Sequence, residues 1–141
     1  MTKKLSSRKT LTRSQQRNLD IEIGFLEGVV RRDPQYMEAL QLLGDDYTQR
    51  GRFVDGLKVD EQLVRLRPGD ALVHYNLACS CALTGQFEEA VEALERAIDL
   101  GYRNFPWLAR DPDLAELRKH PLYNKVRAKA RSLKLRAGPG R

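Results

Sequence analysis

The sequence predicts an all-α protein, a short solenoid of antiparallel helix pairs closed by a C-terminal capping helix. Three observations predict it. Leu, Ala, Glu and Arg dominate the 141 residues and β-branched residues are sparse, a helical rather than a sheet composition. Apolar and small residues recur at the spacing of one helix face, interrupted by Gly and Pro. The chain also matches itself at a fixed offset of 34 residues. That offset aligns Pro34 with Pro68, Leu43 with Leu77, Gly51 with Gly85, and Phe53 with Phe87. It also pairs small residues with small ones, Gly44 with Ala78 and Gly56 with Ala90.

Residues 1–17 carry six basic side chains and no acid, and are predicted to be a disordered tail. Residues 18–34 form a helix that stops at Asp33-Pro34. Gly24 and Gly28, four apart, give it either a face for tight contact with a neighbour or simply a weak helix. In the unit 35–68, Leu40, Leu43, Gly44 and Tyr47 share one helix face and Gly51 breaks it. Phe53, Gly56, Leu57, Leu63 and Leu66 resume the pattern until Pro68 stops it. The unit 69–102 repeats this with Tyr75, Leu77, Ala78 and Cys81, a break at Gly85, then Phe87, Ala90, Val91 and Leu94. Two helices joined by a tight Gly turn is what each unit describes. Residues 103–137 degenerate from the repeat. Asp111 caps a helical turn with Pro112 at its first position, and Pro121 opens the last helix. Leu122, Val126, Ala130, Leu133 and Ala137 form a narrow apolar stripe on that helix. Residues 138–141 are predicted to be a disordered tail.

The 34-residue period, the small residues Gly44/Ala78 and Gly56/Ala90, Tyr47 and the closing Pro68 resemble tetratricopeptide repeats. The resemblance covers 35–68 and 69–102 almost completely. Residues 18–34 resemble the second helix of a preceding unit, a half-repeat. Residues 103–137 resemble the closing segment that follows the last repeat in bacterial members of the family. Asp60 and His74 stand where the family places bulky apolar residues, so packing is open to loosening there. The resemblance implies a right-handed solenoid whose first helices line a concave groove for partner peptides. Its groove positions fall on Glu38, Gln41, Leu42, Asp45 and Gln49 in the first unit, and on Leu72, Tyr75, Asn76, Cys79 and Leu83 in the second. Asn76 matches an asparagine that clamps a terminal carboxylate in chaperone-binding relatives. Gln41 and Asp45 stand where that clamp needs cations, and the acid repels a carboxylate, so this specificity is rejected. The groove is then acidic at one end and apolar at the other, suited to a protein or peptide with apolar anchors and a Lys or Arg. Two occupants compete for its apolar end: a partner's side chains, and the chain's own segment 104–120.

Charge is unevenly spread. The net charge of +6 combines basic ends with an acidic body. From Lys125 onward there are seven basic residues and no acid, which leaves twelve basic against nineteen acidic residues between 18 and 124. The basic ends admit solvated tails, salt-sensitive contact with nucleic-acid phosphates, or attachment to an anionic membrane surface. The nucleic-acid reading makes the chain a ribosome- or nucleic-acid-associated accessory protein. Basic ends and an acidic body also allow weak self-association between copies. No stretch approaches the ~20 apolar residues of a membrane span, and no apolar run follows the first residues as a secretory signal requires.

Catalytic patterns are missing from the sequence: it has no phosphate loop, His-Glu-x-x-His, Cys-x-x-Cys or Gly-x-Ser-x-Gly. Cys79 and Cys81 lie two apart on a helix, about 200° around its axis, which cannot close a disulfide between them. They read as buried thiols in a reducing compartment, and a cytoplasmic location follows. Asp45-Asp46 and Glu88-Glu89 diverge by about 100° within each pair, so neither pair shares a site. Asp45 is expected to face the groove and the other three to be solvated. The expected function is a non-catalytic adaptor or scaffold, with no cofactor and no metal.

Overall fold

The computed structural model describes residues 10–137, with side chains as far as Lys134. Most of the expected tail 1–17 and all of 138–141 lie outside those residues. The part of the tail that is described departs from expectation. Helix α1 spans Arg13–Arg32, so residues 13–17 belong to it. Its start is set by a capping box: the Thr12 hydroxyl accepts from the Gln15 backbone N–H at 3.1 Å, and the Gln15 side chain accepts from the Thr12 N–H at 2.9 Å. Two otherwise orphaned donors are satisfied there, which outweighs the mutual repulsion of exposed cations.

The expected pairs follow. Helices α2 (Met37–Arg50) and α3 (Phe53–Leu66) form one hairpin, and α4 (Ala71–Leu83) and α5 (Phe87–Asp99) the next. Gly51 and Gly85 take φ of 84° and 77° at the two hairpin turns, where a side chain would be strained. Each helix packs on the next, from α1 through α5, and no strand occurs among the described residues. The fold is an all-α solenoid.

Two apolar clusters run through it. One joins Ile23 and Leu26 of α1 to Leu40 and Leu43 of α2 and Leu63 of α3. The other joins Leu57 to α4, α5 and the C-terminal segment. Burial of Ile23 and Leu26, 2% and 6% exposed, contributes about 1.5–3 kcal/mol each. The partly exposed Arg50–Asp20 ion pair between α2 and α1, at 2.9 Å, adds at most about 1 kcal/mol. Apolar contact therefore holds α1 in place. Its glycines are not part of that contact: a Cβ at Gly24 would meet nothing within 4 Å, so this glycine weakens the helix without serving a close crossing.

Gly44 of the first full unit does serve one, and Gly56 lies at its margin. A Cβ at Gly44 would stand 3.3 Å from Val59, and one at Gly56 would stand 3.4 Å from the Thr48 hydroxyl. Asp60 does not loosen this unit. It is 2% exposed and accepts a hydrogen bond from the Ser80 hydroxyl, tying α3 to α4. His74 is also buried, and its Nε2 donates to the Pro68 carbonyl at 2.7 Å.

Beyond α5 come the short helices α6 (Phe105–Leu108) and α7 (Ala115–Arg118), two 3-10 turns at Pro112–Leu114 and Pro121–Tyr123, and α8 (Asn124–Ala137). Asp111 caps the first 3-10 turn as expected, accepting from the Asp113 N–H at 3.0 Å. His120 caps the second through Nδ1, accepting from the Leu122 N–H at 3.1 Å. Helix α8 lies against α5, with Val126 fully buried.

Candidate functional site

The groove positions of the first unit form one stripe of α2, because residues 38, 41, 42, 45 and 49 fall at helical spacing. Opposite them the same helix buries Ala39, Leu40, Leu43 and Tyr47. The stripe itself stays at the surface. Glu38 is exposed, Gln41, Asp45 and Gln49 are half-buried, and Leu42 is 53% exposed.

The second unit differs. Leu72 and Leu83 are half-buried, but Asn76 is 6% exposed and both Tyr75 and Cys79 are fully buried. Tyr75 and Cys79, expected to meet a partner, instead meet the chain's own C-terminal segment. The Tyr75 ring stacks on Tyr102, centroids 4.5 Å apart and planes 10° from parallel. Its hydroxyl donates to Asp111 Oδ2 at 2.6 Å, and the same oxygen accepts from Trp107 Nε1 at 3.0 Å and Cys79 Sγ at 3.7 Å. Asp111 has no exposed surface, and a buried carboxylate persists only when its lone pairs are taken. Three donors from α4 and from the α6 region take them. Of the two candidate occupants of the apolar end, segment 104–120 is the one in place.

Burial pushes the Tyr75 phenol far above its ordinary range, helped by the Cys79 sulfur and the Asp111 carboxyl beside it. Burial also pushes Tyr102 up to about 12. Both phenols therefore stay protonated, and Tyr75 remains a donor, across the physiological range. Cys79, Asp111 and Asp113 bring ligand-type atoms within 4.8 Å of one another in this buried region. Spacing could not show that convergence, since the cysteine and the first aspartate come from elements more than thirty residues apart. Neither cysteine is in a disulfide.

The acidic end also differs from expectation. Asp45 is half-buried on the groove stripe, but Asp46, expected to be solvated, is 5% exposed. Its carboxyl is pushed up to about 8, first by burial, then by the Glu22 carboxyl beside it and the charge of Asp45. Position 46 faces α1, and the α1 partner could not be read from a pair of adjacent letters. Glu88 and Glu89 are exposed, as expected.

No described helix is long and apolar enough to cross a membrane. Comparison with known proteins gives two findings. Residues 71–104 match the family pattern of the tetratricopeptide repeat, a register two residues later than the unit read from the period. The chain is also similar to a chloroplastic protein of Arabidopsis thaliana, 29% identical over 96 residues. That similarity covers 66% of this chain and only 27% of the relative, so the chain spans about a quarter of that protein's length. A repeat of this kind is a protein-interaction module. The stretch from Ala71 to Asn104 is a tetratricopeptide repeat, and the chain that carries it is an all-helical repeat protein.

Proposed function

We propose that this chain is a non-catalytic adaptor that holds a peptide or helix of a partner protein along the surface stripe of α2. The observation that carries the reading is Leu42. A leucine 53% exposed, flanked by Glu38, Gln41, Asp45 and Gln49, offers one apolar anchor inside a polar and acidic frame. A partner segment with a large apolar residue and a Lys or Arg nearby complements it in shape and sign. Leu72 and Leu83, half-buried on α4, extend the apolar contact. Tyr75, Asn76 and Cys79 support this surface from beneath and do not touch the partner. The adaptor would work in the cytoplasm, where buried cysteines outside any disulfide, such as Cys79 and Cys81, persist as thiols.

The test replaces surface residues alone. Leu42→Lys with Asp45→Lys leaves the buried face of α2 untouched, so its thermal melt should stay close to that of the parent. Binding should be read by fluorescence anisotropy against a panel of peptides carrying Leu or Phe beside Lys or Arg. The parent is expected to select members of that panel and the double variant to lose them. Equal binding by both proteins would move the interaction off α2.

A further inference from the structure

A second concave surface lies away from α2, between α6 and α8. It is a cavity of about 310 Å³, at the small end of the ~300–1,000 Å³ range of ligand pockets. Its floor is rigid core: Leu108, Tyr123 and Val126 are each 3% exposed or less. Half-buried Phe105 and Ala130 complete the apolar lining.

Every charged side chain on its wall is a cation, and no Asp or Glu lines it. Arg118 is committed inward, donating to the carbonyls of Leu108 at 3.1 Å and Asp111 at 2.8 Å. Arg127 lies over the Tyr123 ring at 4.7 Å and donates to Asn124 and to the Arg118 carbonyl. Lys134 stands 5.7 Å from the Phe105 ring centroid, and neither it nor Arg131 has an acidic partner among the described residues. Positions 127, 131 and 134 share one face of α8, so these cations form a single rim above an apolar floor.

The chain's own ends do not fit this rim. Residues 1–9 and 135–141 contain Lys3, Lys4, Arg8, Lys9, Arg136 and Arg141 and no acid, so like charge disfavours them as occupants. A bilayer needs an outward apolar face, whereas on α8 Val126 is fully buried, Ala130 and Leu133 are half-buried, and Ala128 is the one exposed apolar residue among the described side chains. Single-stranded nucleic acid needs open rings for stacking, whereas Tyr123 is 3% exposed and already covered by Arg127.

We propose that this cavity is a second docking surface, and that its occupant is an acidic peptide segment carrying large apolar anchors. The anchors enter between Phe105 and Val126, and flanking carboxylates meet Arg127, Arg131 and Lys134. This partner is opposite in charge to the one proposed for α2, and the inference does not rest on that reading.

The test uses the full chain and a fluorescein-labelled peptide, acetyl-Glu-Leu-Glu-Glu-Leu-Phe-Glu-amide, read by anisotropy. Two controls replace its Leu and Phe by Ser, or its Glu by Lys. Two variants separate charge from shape: Arg131→Glu with Lys134→Glu reverses the exposed rim, and Ala130→Trp fills the cavity while keeping every cation. The parent is expected to bind the acidic apolar peptide and neither control. Each variant should weaken it by about tenfold or more while its thermal melt stays near the parent's. Binding that persists in Ala130→Trp, or that the Ser control reproduces, would show charge attraction alone and overturn the proposal. So would stronger capture by phosphatidylserine vesicles or oligouridylate than by the peptide, or a rim-dependent dimer in sedimentation, since each names a different occupant. A parent protein that ignores the peptide overturns it outright.

Discussion

At the scale of single residues, the structure turns on carboxylates that the chain keeps out of water. Asp111 and Asp60 are held by donors, whereas Asp46 faces another acid, Glu22, and solves the same problem with a proton. Its carboxyl rises from an ordinary 3.8 to about 8, mainly through burial. The native state therefore keeps a proton that the unfolded chain releases near pH 4. Stability from this site is highest at low pH, falls as pH rises between the two values, and levels off above the upper one. Thermal melts should show a higher Tm at pH 5.5 than at pH 8.5, and Asp46→Asn, a neutral amide beside Glu22 with no titrating proton, should flatten that slope and melt higher at pH 8.5. Parallel pH profiles for parent and variant would assign the dependence to other groups. None of this was legible in the sequence. Adjacent letters fix the angle between Asp45 and Asp46, but not that α1 covers one of them and leaves the other half open.

At the scale of elements, most of the structure was legible, because helices and their turns are set locally. Gly51 and Gly85 mark both hairpins, and apolar spacing marks α2 through α5. The start of α1 was legible too, in the Thr12-x-x-Gln15 spacing, although the basic charge around it points the other way. The small residues at the α2–α3 crossing allow a direct check. A Cβ at Gly56 would sit in ordinary contact, and the corresponding position in the next unit already holds Ala90. Gly56→Ala should therefore stabilise the protein by about 0.5–1 kcal/mol through helix propensity, measured by urea unfolding. Gly44→Ala presses closer on Val59 and should gain less. A loss of stability in Gly56→Ala would mean that the crossing tolerates no added methyl.

At the scale of the whole molecule, the C-terminal segment is part of the second unit's core as much as an end piece. Leu108, Leu114, Leu117 and Tyr123 belong to the same apolar cluster as α4 and α5. A chain ending at Arg103 would expose that cluster and leave Tyr75 without its acceptor. It should melt broadly or aggregate, and calorimetry showing a sharp, unshifted transition would make the segment dispensable. The contact between Tyr75 and Asp111 joins residues 36 apart, and such a meeting is invisible to a repeat period that compares each position only with its counterpart 34 residues away. The same contact bears on how the array can lengthen by gene duplication. Copying residues 69–102 carries a tyrosine and a cysteine along, so the new last repeat still offers Asp111 a phenol and a thiol. Copying 35–68 into that place would offer Gln41 and Asp45 instead, setting one carboxylate against another. Only one of the two units can therefore serve as the seed for growth at this end.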